Sequence, residues 1–304
     1  MCIRDRPCQG FSSIRPFRNL TENDPRNNLF ESFALIINRY KPKWFVLENV
    51  VGLLTHKQGE TLKIILKLFE QIGYQVEWKV LNAALYGLPQ RRERLILIGN
   101  IQNQRFQWPE PTHYFNGRSM AGKAYGQTAT NLPLWGVELK PAVTVIEAIH
   151  DLPEIQSGES ASVYREDAKL TEFELLMRGD STLLTLHDST KHSEHMLEII
   201  RQSGYNRNAL PKGMTTSGFS SSYSRLEPNL PSVTLTVNFV HPASNKCIHP
   251  YQNRALTPRE GARLQGFEDN YVFTGNRAQI VKQIGNAVPP MLGKIIAQTL
   301  LNHI

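Results

Sequence analysis

Trp44-Phe45-Val46-Leu47-Glu48-Asn49 is a continuous apolar run that stops on a carboxylate and an amide. Four apolar residues without alternation suit a strand covered on both faces, as in a parallel sheet with helices on either side. In open sheets of that kind ligands gather at the carboxyl ends of the strands. Glu48 and Asn49 are therefore placed for chemistry or for capping the next turn, and the two roles are compatible.

Outward from this run the pattern is helical on both sides. Upstream, Leu29, Phe33, Ile37 and Tyr40 recur at helical spacing, with Phe30, Ala34 and Ile36 widening the stripe. Asp24 suits the N-cap and Pro25 the first turn, and Lys41-Pro42 ends the helix. Downstream, Leu62, Ile65, Leu66, Phe69 and Ile72 repeat at the same spacing, with Gly73 where a C-terminal glycine belongs. Residues 75–81 alternate as a strand, and Leu95-Ile96-Leu97-Ile98 is a second buried-type run closed by Gly99. Helix and strand alternate up to residue 105, which predicts an α/β layer architecture.

Beyond that point the character changes. Residues 102–241 are rich in Pro, Gly, Ser, Thr and aromatics. Short helices are expected at 145–152, 171–177 and 195–200, and a strand at 232–239, where Val233, Leu235, Val237 and Phe239 alternate with other residues. This is an irregular second domain, placed at 106–275. Helical order returns at Thr257-Pro258-Arg259-Glu260, which reads as a capping box, and stops at Gly266. A last segment, 276–304, carries Gly285-Asn286-Ala287-Val288-Pro289-Pro290 and a helix with Leu292, Ile295, Ile296 and Leu300; it is expected to return to the first domain.

The chain has 304 residues, a formal charge of +7 and a sequence pI near 9.3. A cationic excess suits a polyanionic partner, because Lys and Arg on phosphates release condensed counterions. No apolar run reaches membrane-spanning length, so the expectation is a soluble cytoplasmic protein. Cys2, Cys8 and Cys247 form neither an even disulfide framework nor a Cys-x-x-Cys metal pair, which fits a reducing compartment. His187, His192 and His195 match no metal-ligand spacing and read as a polar surface stretch.

Taken in order, several short stretches resemble the cytosine carbon-5 DNA methyltransferases. They are Pro7-Cys8-Gln9-Gly10-Phe11-Ser12, Asp24-Pro25-Arg26-Asn27-Asn28-Leu29-Phe30 and Glu48-Asn49-Val50. The set continues with Gln90-Arg91-Arg92-Glu93-Arg94, Arg254-Ala255-Leu256-Thr257-Pro258-Arg259-Glu260 and Gly285-Asn286-Ala287-Val288. The resemblance implies a Rossmann-like S-adenosylmethionine-dependent core plus a smaller, irregular, β-containing target-recognition domain. It implies Cys8 as the nucleophile, since a thiolate adding to carbon 6 of cytosine makes carbon 5 nucleophilic. Glu48 would hydrogen-bond ring nitrogen 3 and the amino group, while Arg92 and Arg94 would hold the cytosine carbonyl and orient the carboxylate. Pro7, Leu29, Asn286, Ala287 and Val288 would border S-adenosylmethionine. Because the base must leave the duplex to be attacked, the basic loop after Cys8 would close over DNA, with Gln9, Ser12, Arg15, Arg18 and, in the second domain, Thr234 as DNA contacts. The partners implied are duplex DNA and, genetically, a cognate restriction endonuclease; a monomer is expected. A transfer-RNA methyltransferase and a non-catalytic DNA-binding remnant are the alternatives.

The family's glycine-rich cofactor turn, which precedes its Pro-Cys-Gln, is not found here: no two of the twenty glycines are separated by a single residue. Met1-Cys2-Ile3-Arg4-Asp5-Arg6 stands where the family has an apolar strand. The expectation is a truncated core lacking its first strands, whose first six residues lie outside the fold and which is inactive or nearly so.

Overall fold

The two apolar runs are neighbours, and they run in opposite directions. In the computed structural model, which describes residues 2–4, 29–115, 138–215 and 220–303, the first part of the chain forms β1 (Cys2–Arg4), α1 (Leu29–Tyr40), β2 (Trp44–Val50), α2 (Gly52–Thr55), α3 (Glu60–Gln71), β3 (Gln75–Asn82), β4 (Gln90–Arg91) and β5 (Glu93–Asn100). The middle adds β6 (His113–Tyr114), β7 (Lys140–Pro141), α4 (Val145–Ile149), α5 (Glu172–Arg178) and α6 (Glu194–Gln202). Then follow β8 (Ser224–Arg225), β9 (Ser232–Val233), β10 (Lys246–Ile248), α7 (Pro258–Leu264), α8 (Arg277–Asn286) and α9 (Pro290–Leu301).

The main sheet has the order β1-β2-β5-β3. β1 is parallel to β2, whereas β5 is antiparallel to both neighbours, with Leu97 opposite Leu47 on one side and Trp78 on the other. The parallel environment expected for residues 44–49 thus exists on one edge only. Coverage on both faces does hold, because two helical layers flank the strands. Phe45, Leu47, Leu95 and Leu97 pack with Phe33, Ile37, Leu62, Ile65 and Phe69 of α1 and α3. Trp44, Val46, Ile96 and Ile98 pack with Phe106 and with Leu292, Ile296 and Leu300 of α9. Gly99 is required here: a Cβ would lie 2.1 Å from the Phe45 ring, which instead crosses the strand to Phe69 at a centroid distance of 4.5 Å.

Several expectations need correction. Cys2–Arg4 lies inside the fold, its backbone paired with Phe45, Val46 and Leu47, since the edge of β2 offers a row of hydrogen-bonding groups. Tyr40 ends α1 on the outside, 73% exposed, and does not continue the buried stripe. Asp24 and Pro25, read as the start of that helix, lie outside the described residues.

α4, α5 and α6 form where short helices were expected. Thr144, Thr171 and Ser193 cap them with side-chain oxygens on backbone N–H groups. The strand expected at 232–239 shrinks to Ser232–Val233, parallel to β4. At Leu235 the backbone meets side chains instead of a strand: the Leu235 N–H donates to Gln90 Oε1 (3.1 Å) and the Leu235 carbonyl accepts from Arg92 Nη1 (3.1 Å). His187 is buried rather than superficial, its ring nitrogens 3.1 Å from Thr257 Oγ1 and 2.9 Å from the Pro153 carbonyl.

The second lobe has its own core, in which Val145, Ile149, Phe173, Met177, Leu235, Phe239, Leu256 and Leu264 pack with Ile280, Val281 and Ile284 of α8. α8 therefore packs with the second lobe, and α9 packs on the sheet. The sequence did carry a sign of α8: Asn276 and Gln279 form a capping box.

Candidate active site

Strand periodicity brings Glu48 and Arg94 together. Trp44, Val46 and Glu48 share one face of β2, and Arg94, Ile96 and Ile98 share that face of β5. Glu48 pairs with Ile96, so Arg94 is its diagonal neighbour, within reach of a long side chain. Arg94 Nε stands 2.8 Å from Glu48 Oε1, and each side chain is 11% exposed. Arg94 Nη1 donates to the Glu93 carbonyl at 2.8 Å. A face that is apolar deeper in the sheet turns ionic where β2 finishes and β5 begins. So little exposure leaves the pair weakly screened compared with surface ion pairs, and the guanidinium fixes the orientation of the carboxyl group. Asn49 Oδ1 accepts the N–H of the next residue, Val50, at 2.9 Å; α2 has Val51 at its N-cap with no side-chain hydrogen bond, so Asn49 does not take the capping role.

Arg92, expected to hold the cytosine carbonyl and orient the carboxylate, lies at the seam between the sheet and the second lobe. It is 2% exposed, and Nη1 and Nη2 donate to the carbonyls of Leu235 (3.1 Å) and Gly285 (3.0 Å). It ties the sheet to the second lobe and to the end of α8. Gly285 must be glycine at this seam, because a Cβ would lie 2.4 Å from the Thr236 carbonyl oxygen. Thr234 belongs to the same seam: its hydroxyl donates to the Arg91 carbonyl at 3.0 Å, and its own carbonyl accepts from Asn245 Nδ2 at 3.2 Å.

Among the expected cofactor residues, Asn286 is exposed at the end of α8, and Ala287 and Val288 are half-buried in the connection to α9. Leu29 opens α1, and α1 and α9 cover opposite faces of the sheet. Pro7, Cys8, Gln9, Ser12, Arg15 and Arg18 lie outside the described residues. Cys247 is fully buried with its thiol pushed up to about 12 by burial, the profile of an inert core thiol. Among the described residues no group of His, Cys, Asp and Glu could hold a metal, and no helix is long and apolar enough to cross a membrane.

Behind the site, the capped helix α7 carries buried ion pairs beside its apolar residues Ala262 and Leu264. Arg254 is bidentate on Glu260 (2.8 and 2.7 Å). Burial alone would raise the Glu260 carboxyl; the Arg254 charge and hydrogen bonds outweigh it and hold the group far below the usual carboxylate range. Arg263 bridges Asp151 and Asp269, and Asp269 also takes Arg259 (3.1 Å) and the Tyr164 hydroxyl (2.8 Å). Sequence reading missed this network and Gln265 beside it. The available signal was the run of Arg254, Arg259 and Arg263 around a helix that has to be buried.

A family model for the C-5 cytosine-specific DNA methylase matches residues 5–302. The chain is 35% identical over 298 residues to the type II methyltransferase M1.HphI of Haemophilus parahaemolyticus, covering 97% of this chain and 66% of that protein. It is 31% identical over 357 residues to the type II methyltransferase M.AgeI of Thalassovita gelatinovora, covering 97% and 81%. In fold it is similar to a protein described as a DNA modification methyltransferase encoded within a prophage (E. coli), with a TM-score of 0.67, 24% identity, and coverage of 97% of this chain and 76% of that one.

Proposed function

The chain belongs to the C-5 cytosine-specific DNA methylase family, and from that membership we propose that it methylates carbon 5 of cytosine within a specific duplex DNA sequence. The observation that carries this reading is the Glu48–Arg94 pair, a carboxyl group fixed at the end of β2 by a guanidinium 2.8 Å away. The type II relatives support a modification enzyme working beside a cognate restriction endonuclease.

The residues expected at the cofactor fit S-adenosylmethionine in their chemistry. An exposed carboxamide, Asn286, adjoins two half-buried apolar side chains, Ala287 and Val288, which suits a ligand with polar edges and a flat apolar face. That group, when bound, supplies an electrophilic methyl. The chain's own residues must make cytosine able to take it. The Cys8 thiolate forms a bond to carbon 6 of the flipped base, pushing an electron pair toward carbon 5 and charge toward nitrogen 3. Glu48, in its protonated form, answers that charge by giving its proton to nitrogen 3 while its other oxygen accepts from the 4-amino group, and Arg94 keeps the carboxyl in the geometry that does so. After carbon 5 is methylated, solvent water takes its proton, the electron pair left behind re-forms the double bond between carbons 5 and 6, the carbon–sulfur bond breaks to restore the thiolate, and nitrogen 3 returns its proton to Glu48. Arg92 serves this chemistry as an anchor. The net charge of +7 favours the polyanionic duplex.

The test is transfer of labelled methyl to duplex DNA, followed by mapping of 5-methylcytosine, with transfer RNA as competitor; DNA binding without any transfer would bear out the inactivity expected above and favour the non-catalytic DNA-binding alternative. Cys8→Ser and Glu48→Gln are expected to abolish transfer. DNA carrying 5-fluorocytosine, which cannot lose a proton from carbon 5, is expected to trap the protein covalently through Cys8. Retained activity in Cys8→Ser would remove the mechanism, and a preference for transfer RNA would remove the substrate.

A further inference from the structure

The backbone around residues 285–290 is held from outside by its carbonyls. Pro289 and Pro290 have no N–H to donate. The Gly285 carbonyl is taken by Arg92, and the Ala287 carbonyl accepts from Gln265 Nε2 at 2.6 Å.

Gln265 has little freedom of its own. It closes α7, with its N–H on the carbonyls of Gly261 and Ala262 (both 3.1 Å), and it is fully buried. The next residue, Gly266 (φ +81), sits so close to Leu88 and Met291 that a Cβ would come within 2.9 Å of Leu88 Cδ2. Gln265 Oε1 accepts from Gln90 Nε2 at 2.7 Å, and Gln90 Nε2 also donates to the Leu264 carbonyl at 2.9 Å. Gln90 Oε1 takes the Leu235 N–H. Two buried amides thus run from the second lobe, through the start of β4, to the connection between α8 and α9.

We propose that Gln265 is a positioning residue that sets the Asn286-Ala287-Val288 edge of the methyl-donor site relative to the strand end carrying Glu48 and Arg94. This rests on the reading that Asn286, Ala287 and Val288 border the donor. Gln265 has one acceptor and one donor in use, and both are needed: the oxygen locates it on Gln90, and the nitrogen holds Ala287. Without the donor, the Ala287 carbonyl loses its partner and the edge is free to shift.

The experiment uses Gln265→Glu and Gln265→Met, with S-adenosylhomocysteine binding by calorimetry and amide hydrogen exchange across 284–288. Gln265→Glu keeps size and the acceptor, but its ionised carboxylate sets oxygen against the Ala287 carbonyl. Both variants are expected to speed exchange at 285–288 and to weaken S-adenosylhomocysteine about five- to tenfold, the worth of one hydrogen bond, with DNA affinity within about twofold of the parent. In Gln265→Glu, binding is expected to recover as pH falls, because a protonated carboxyl donates where the amide did. A packing defect would show no such recovery, and Gln265→Glu remains informative if Gln265→Met fails to fold. Unchanged exchange and affinity overturn the proposal, as does a parallel loss of DNA and S-adenosylhomocysteine binding without recovery at low pH. If the parent protein binds no S-adenosylhomocysteine, the donor-site reading fails and the functional role of Gln265 falls with it; faster exchange at 285–288 would then show an anchor only.

Discussion

Replacing Arg263 by methionine tests whether the charges of α7 work as one unit. Arg263 donates to Asp151 through Nη1 and Nη2, to Asp269 through Nε and Nη2, and to the Ala148 carbonyl. Neither carboxylate is exposed. In Arg263→Met, Asp269 keeps Arg259 and the Tyr164 hydroxyl, but Asp151 loses its guanidinium in the dry interior. Breaking a buried pair from one side costs about 3–5 kcal/mol, against a total stability of about 5–15 kcal/mol. With a urea slope of about 2–3 kcal/mol per M, the midpoint should drop by about 1.5 M. Adding Asp151→Leu removes the stranded charge and leaves Arg259 and Asp269 as a neutral pair. The double variant should therefore be about 2–3 kcal/mol more stable than Arg263→Met alone. Urea unfolding followed by circular dichroism measures both. If the two losses simply add, the groups act independently and the network argument is wrong.

Arg94→Met should reduce kcat/KM for methyl transfer about 10- to 100-fold, the worth of a charged hydrogen bond, while DNA binding changes little; single-turnover kinetics beside a gel-shift titration separates the two, and an equal loss in both would place Arg94 on DNA instead of on Glu48. His249 is lowered from 6.5 to about 4, chiefly by burial. The folded state keeps it neutral while the unfolded chain takes up a proton, so stability is full above pH 6.5 and declines as pH falls toward 4, by about 3 kcal/mol in all. His187, lowered first by burial, adds to the same slope. His249→Gln should flatten the decline, read as urea midpoints between pH 7 and 4.5; an unchanged slope would assign it to other groups.

What the sequence made legible was whatever depends on local order. Periodicity located α1, α3, β2, β3 and β5, and capping chemistry located α7, because such signals act within a few residues. Glu48 and Arg94 were legible through motif spacing. Their contact was not, since it depends on β5 entering the sheet antiparallel, which neither run declares. Residues 232–239 alternate like a strand, yet Gln90 and Arg92 supply the partners that a neighbouring strand would have given. The two carbonyl contacts of Arg92 were hidden for the same reason: a guanidinium that binds carbonyls more than 140 residues away in sequence looks like any functional arginine.

The order β1-β2-β5-β3 also constrains the sequence of events in folding. β5 is made after β2 and β3 but lies between them, in contact with both along its whole length. A nascent chain that has emerged only through β3 holds two apolar strands whose shared partner does not yet exist. It must either keep them apart or pair them wrongly and later undo the error, which is a recipe for slow, aggregation-exposed folding. Completion of Leu95-Ile96-Leu97-Ile98 is thus a commitment step. Brief pausing of synthesis before residue 93 should favour misfolded chains, and pausing after residue 100 should not.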